Sequence, residues 1–108
     1  MPGGHISFQP KRLGETCFLS QPFDFAGSMS QGETITAQVV TATVYQGTDP
    51  NPAAIISGLA TVANVTQVNQ LVTFGVLGVI YELLCQIVTS LNQHLEIAGY
   101  LAIIPDLV

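Results

Sequence analysis

Between Leu13 and Val108 the chain has neither lysine nor arginine; its only two cations, Lys11 and Arg12, stand side by side near the start. That absence argues against nucleic acid as a partner, because phosphate affinity comes from clustered cations that release counterions, and here the net charge is −5. Charged residues of either sign make up only 8% of the 108 residues, against roughly 25% in an average soluble protein. Much of the surface must therefore be uncharged, which favours association. Cysteine is scarce as well. Cys17 and Cys85 are too few to form a disulfide scaffold in a chain of this length, and separate reduced thiols are expected. The opening Met1-Pro2-Gly3-Gly4-His5 lacks a basic stretch followed by an apolar one, so synthesis without export is the expectation.

Catalytic groupings are missing too. The only histidines are His5 and His94, and neither stands in a motif with a nucleophile. Cys85 shares an alternating face with Tyr81, Leu83 and Ile87, which makes it a small core residue rather than a thiolate. Cys17 is the more exposed thiol and has no neighbouring histidine. His94 and Glu96 lie two apart with no further ligand at a recognised metal spacing. Asp49 and Asn51 sit among prolines with no following glutamate, which suits a turn better than calcium. Asn64-Val65-Thr66 fits a glycosylation acceptor that only an exported eukaryotic chain would use. The expectation is a protein that is not an enzyme and has no cofactor and no metal.

What is present reads as strand. With 108 residues the chain forms one domain with one modest core. Thr34 to Val39 alternate polar and apolar, and then the parity reverses: Val40, Ala42 and Val44 become the apolar set. A bulge or a break near Val39–Val40 is therefore expected. Gly47-Thr48-Asp49-Pro50-Asn51-Pro52 forces a turn. Short apolar pieces follow at Ala54–Ser57, Leu59–Val62 and Val65–Val68, separated by Gly58 and Asn64. Three stronger strands end the chain. Val72 and Phe74 lead the first; the second sets Tyr81, Leu83, Cys85 and Ile87 against Glu82 and Gln86; the third has Leu95, Ile97, Leu101 and Ile103 before Pro105. Ser90-Leu91-Asn92-Gln93 between the last two predicts a hairpin with Asn92 at positive φ. Leu83–Thr89 alone has a pattern that also suits a short buried helix. About seven short strands and frequent turns predict an all-β, antiparallel β-sandwich over residues 22–108.

The run Leu71–Val88 is long enough for a membrane test. Glu82 lies inside it, Gly75 and Gly78 divide it, its composition suits strands, and no cation flanks it, so no membrane span is expected. Residues 1–21 are rich in glycine and proline, hold all the positive charge and lack a sustained period, which predicts an extended N-terminal arm. Phe8, Phe18 and Phe23 punctuate the arm and its junction. They either cover one end of the core or, together with Lys11 and Arg12, anchor the arm on a partner; the two cations alternatively serve only solubility.

Gly78-Val79-Ile80-Tyr81 resembles the entry to the sixth strand of immunoglobulin-like and fibronectin-like sandwiches, where a tyrosine bonds back across a corner, although tryptophan and the antibody cysteine spacing are absent; a plain core tyrosine is the competing reading. The stretch Glu33–Pro105 resembles the small immunoglobulin-like proteins of tailed bacteriophages, especially fibre–tail adaptors. The residues that carry the likeness are Thr34-Ile35-Thr36-Ala37, the Gly47–Pro52 turn, Gly75-Val76-Leu77-Gly78-Val79-Ile80-Tyr81 and Thr89-Ser90-Leu91-Asn92. Asn92 stands where that layout has a hairpin glycine. The resemblance implies an immunoglobulin-like fold and a virion component, made in the host bacterial cytoplasm, that joins other virion proteins of the tail, neck or fibre in several symmetric copies. Open edge strands, with no lysine in the body to protect them, and the N-terminal arm are expected to make those contacts. A capsid decoration protein or another tail accessory is the nearest alternative; a cell-surface adhesion or carbohydrate-binding module is the alternative of another class.

Overall fold

In the computed structural model, which describes residues 5–105, the threonine–valine alternation that follows Glu33 builds a single long strand. Nine strands occur among the described residues: β1 His5–Ser7, β2 Lys11–Arg12, β3 Cys17–Phe18, β4 Phe23–Asp24, β5 Ile35–Gln46, β6 Ile56–Ala63, β7 Gln67–Val72, β8 Ile80–Thr89 and β9 His94–Ile104. Strands hold 55% of the chain. Among the described residues the helical pieces are single 3-10 turns at Ala26–Ser28 and Pro52–Ile55. No helix among the described residues is long and apolar enough to cross a membrane.

Two sheets stack face to face into an all-β sandwich. In the first, β5 pairs with β8 and β8 with β9, all antiparallel, while β1 and β2 run parallel along the far side of β9. The sheet is thus mixed rather than purely antiparallel, because the N-terminal segment travels beside the last strand in the same direction. In the second, β7 is central, with β6 on one side and β3 and β4 in series on the other. The count exceeds the expected seven because this segment contributes four strands of two or three residues.

Strand β8 shows why the layers hold. Tyr81, Leu83, Cys85, Ile87 and Thr89 are buried and alternate with residues that face outward, so one side of the strand supplies core and the other does not. The segment Leu83–Thr89 is therefore strand, not helix. Leu101 and Ile103 on β9, Val68 and Val72 on β7, and Phe23 on β4 close the core from both sheets.

The parity change in β5 falls earlier than Val39–Val40. Ile35 pairs with Thr89 and Ala37 with Val88, which leaves Thr36 as an extra residue; Gln38, Val40, Ala42 and Val44 then face inward. A second shift follows between Val44 and Gln46. Val39 is left outside, half exposed at 50%. Gly58 does not separate two strands as expected. It adopts φ 75° inside β6, in a bulge spanning Ser57 to Thr61, and the buried Gln70 fixes this bulge by donating from Nε2 to the Ser57 and Gly58 carbonyls at 3.2 and 3.1 Å. Asn92 has φ 60°, as the hairpin requires, and β9 ends directly before Pro105.

The N-terminal segment is not a free arm over its described part. It starts along β9, crosses from one sheet to the other, and finishes along β7. The Phe8 and Leu13 amides donate to the Tyr100 and Ile104 carbonyls, and Thr16 Oγ1 lies 2.6 Å from Thr73 Oγ1. Met1 to Gly4, which the sequence places at the head of the arm, lie outside the described residues.

Candidate functional site

The five residues singled out as partner contacts separate into two groups. Phe8 and Phe23 are core residues, packed edge to face with ring centroids 5.5 Å apart. Phe8 also lies flat against Gly99 of β9, where any Cβ would overlap its ring. Lys11 is 2% exposed; its Nζ donates to the carbonyls of Arg12, Leu13 and Glu15 at 2.6, 3.2 and 2.6 Å. The loop wraps around the ammonium, which satisfies three backbone acceptors at once. These three side chains are occupied within the molecule and offer no surface to a partner. Arg12 and Phe18 are exposed, Phe18 to 58%. Phe18 pairs with Leu71 on the outer face of the second sheet.

Cys85 is fully buried, and burial pushes its thiol up to about 12. Cys17 is half-buried and also raised, first by burial and then by the Glu15 carboxylate. Both thiols are unpaired. Among the described residues no three His, Cys, Asp or Glu side chains group as metal ligands.

Two polar clamps pin the ends of the sandwich. At one end Glu33, 3% exposed, accepts from the Ser30 amide at 2.7 Å, from Gln93 Nε2 and from Thr89 Oγ1. The Thr89 bond chiefly, then the Ser30 amide, holds its carboxyl below the ordinary glutamate range. At the other end the Tyr81 hydroxyl donates to Asp49 Oδ2 at 2.6 Å and accepts from the Val76 amide at 2.8 Å. Burial, and then the Asp49 bond, pushes this phenol up to about 12. The phenol thus ties the start of β8 back to Val76, five residues upstream, and to the Asp49 turn.

The outstanding surface is one that the sequence did not single out: the outer face of the five-stranded sheet. Three cross-strand rows lie on it, Val39–Gln86–Glu96, Thr41–Leu84–Ala98 and Thr43–Glu82–Tyr100. Tyr45, 61% exposed, packs on Tyr100 with ring centroids 4.5 Å apart. Partial burial, followed by the nearby Glu82 carboxylate, raises the Tyr100 phenol. At the edge of the face a shallow hollow of 310 Å³ lies among Ala37, Val39, Val88 and His94. The face thus combines valine, leucine, alanine and two tyrosines with two carboxylates, and its strands β5, β8 and β9 contain no lysine or arginine. The available signal was residue type: Leu84 stands between Glu82 and Gln86 at a position where a solvated strand carries a polar residue. A second apolar surface sits at the Tyr81 end, where Phe74, Val76 and Leu77 are 66%, 40% and 50% exposed.

Comparison with protein families, with curated protein sequences and with solved structures finds no match to this chain.

Proposed function

We propose that this chain is a non-enzymatic structural protein of a tailed-bacteriophage virion, an immunoglobulin-like adaptor that bridges tail or neck and fibre proteins in several symmetric copies. The observation that carries this is the outer face of the five-stranded sheet. An antiparallel sheet that meets water normally alternates core with polar residues; here the water side of β5, β8 and β9 is half apolar, and those three strands carry no lysine or arginine. Such a face is completed by burying it against another protein. Multiple copies around a ring multiply a modest contact into a stable one. The adaptor role itself comes from the resemblance of Glu33–Pro105 to phage proteins of that kind. Because Phe8, Lys11 and Phe23 are buried, the contact in this reading uses the sheet face and, within the N-terminal segment, the exposed Arg12 and Phe18.

The test is to purify phage particles from the producing culture and weigh their components by intact-mass spectrometry. The chain is expected in fixed stoichiometry with tail and fibre proteins. A Leu84→Glu variant, which places a charge in the middle of the face, is expected to fold and to be left out of particles. Absence of the unaltered chain from particles overturns the proposal.

A further inference from the structure

The four sheet edges are finished differently. The β1/β2 edge is short and interrupted by Pro10, and the β3/β4 edge is split around Pro22. β6 is bent by its bulge, with Leu59 92% exposed at the apex. Bulges, prolines and brevity are the devices that keep an edge from pairing with another chain. β5 has none of them over its middle: Ala37 to Val44 run in regular register without proline, glycine or a charged side chain, and β5 pairs on one side only.

Hydrogen-bond phase shows which backbone groups stand at that edge. The Thr89 amide donates to Gln93 and the Ser90 amide to Thr34. Backbone groups alternate sides along a strand, so odd-numbered residues of β8 address β9 and even-numbered ones address β5. Val39, Thr41 and Thr43, opposite Gln86, Leu84 and Glu82, accordingly turn their amides and carbonyls toward β8. Val40, Ala42 and Val44 turn theirs to the open edge.

We infer that β5 is a self-pairing edge, on which a second copy of this chain adds its own β5 antiparallel and joins the two five-stranded sheets into one. This deepens the assembly reading, on whose use of uncovered surfaces it rests, by naming the first partner. A second copy fits for two reasons. The strand is uncharged, so two identical edges meet without repulsion. Its sequence is also complementary to itself when the two-fold axis passes through Ala42. Val40 then faces Val44 of the second copy, Thr41 faces Thr43, and Val39 faces Tyr45; threonine pairs and aromatic–β-branched pairs are favoured across antiparallel strands. The N-terminal part of the edge is less open, because Gln38 Nε2 reaches the Ala60 carbonyl of β6 at 3.1 Å. This favours the axis at Ala42 over one nearer Gln38.

Sedimentation velocity on the full chain over a range of concentrations tests the inference. A monomer–dimer equilibrium is expected, and Thr41→Lys, on an exposed position, is expected to weaken it at least tenfold while leaving the melting temperature within about a degree. In a Cys17→Ser background, Thr41→Cys with Thr43→Cys is expected to yield a disulfide-linked dimer on mild oxidation. A chain that stays monomeric to millimolar concentration overturns the inference, as does a dimer that Thr41→Lys leaves intact. A monomer that is nonetheless found in particles removes only the self-pairing; a dimer missing from particles supports the self-pairing and removes only the virion role.

Discussion

The two flanks of this sandwich are finished by opposite means. On one, residues 5–24 are stitched to β9 and then to β7, so that both sheets share a single covering strip. On the other, β5 and β6 each end a sheet, and Gln38 Nε2 reaches from one to the Ala60 carbonyl of the other. The closed flank uses aromatic rings and a caged ammonium, groups that are costly to leave half-satisfied. The open flank uses threonine, valine and alanine, which tolerate either water or a neighbour. Stability is thus concentrated on one side and association on the other, and substitutions on the two sides should separate these properties.

The largest effect is expected at the closed flank. Phe23→Ala removes a fully buried ring that also supports Phe8, and should cost about 3–5 kcal/mol of unfolding free energy in urea titrations. If the loss is under about 1 kcal/mol, the strip is a dispensable cover rather than part of the core. Lys11→Met comes next: it keeps the aliphatic stem but leaves the carbonyls of Arg12, Leu13 and Glu15 without their donor, for an expected loss of about 2 kcal/mol. Because the cage is made only by the closed flank, β5–β8 amides should keep their hydrogen-exchange protection better than those of β2.

Acid sharpens the contrast by acting on neither flank but on one end. The Glu33 carboxyl is held below its unfolded value by Thr89, Ser30 and Gln93, so its stabilising share is complete above the ordinary glutamate range. That share is lost as pH falls through the lowered folded value. Glu33→Gln should flatten this part of the pH–stability curve while the neutral amide retains some of the bonds. If the variant shows the same acid slope as the parent, the clamp is not the source. The smallest effect on stability belongs to the open flank: Thr41→Lys should change unfolding free energy by less than about 0.5 kcal/mol, while weakening association at least tenfold.

Where strand pairing is local, the fold was legible. The β8–β9 hairpin, its Asn92 and the buried set from Tyr81 to Ile87 follow from alternation and turn chemistry alone. The β5 parity change was legible as an event but not in position, because a bulge settles where the partner strand's register allows, and that register is set by Thr89 and Val88 far along the chain. The N-terminal segment was illegible for the same reason: its glycines and prolines give no period, and its partners are β9 and β7 at the other end of the sequence. Lys11 reads as a surface residue until the loop that surrounds it is seen. Of the candidate surface, Leu84 carried a signal, standing between Glu82 and Gln86; that Val39 faces outward depended on where the β5 bulge fell, and that Tyr45 would meet Tyr100 across β8 depended on register.

The lysine cage has a practical consequence for detection. Trypsin cuts after lysine and arginine, and both of its sites in this sequence are adjacent, at Lys11 and Arg12. Everything from Leu13 to Val108 survives digestion as one long acidic peptide, too large for routine peptide sequencing, so a tryptic survey of particles sees the protein only through the short segment that ends at Lys11 or Arg12. The same scarcity makes the protease a gauge. With the Lys11 side chain enclosed and Arg12 hydrogen-bonded into the β9 ladder, the cutting rate reports how often the closed flank peels away.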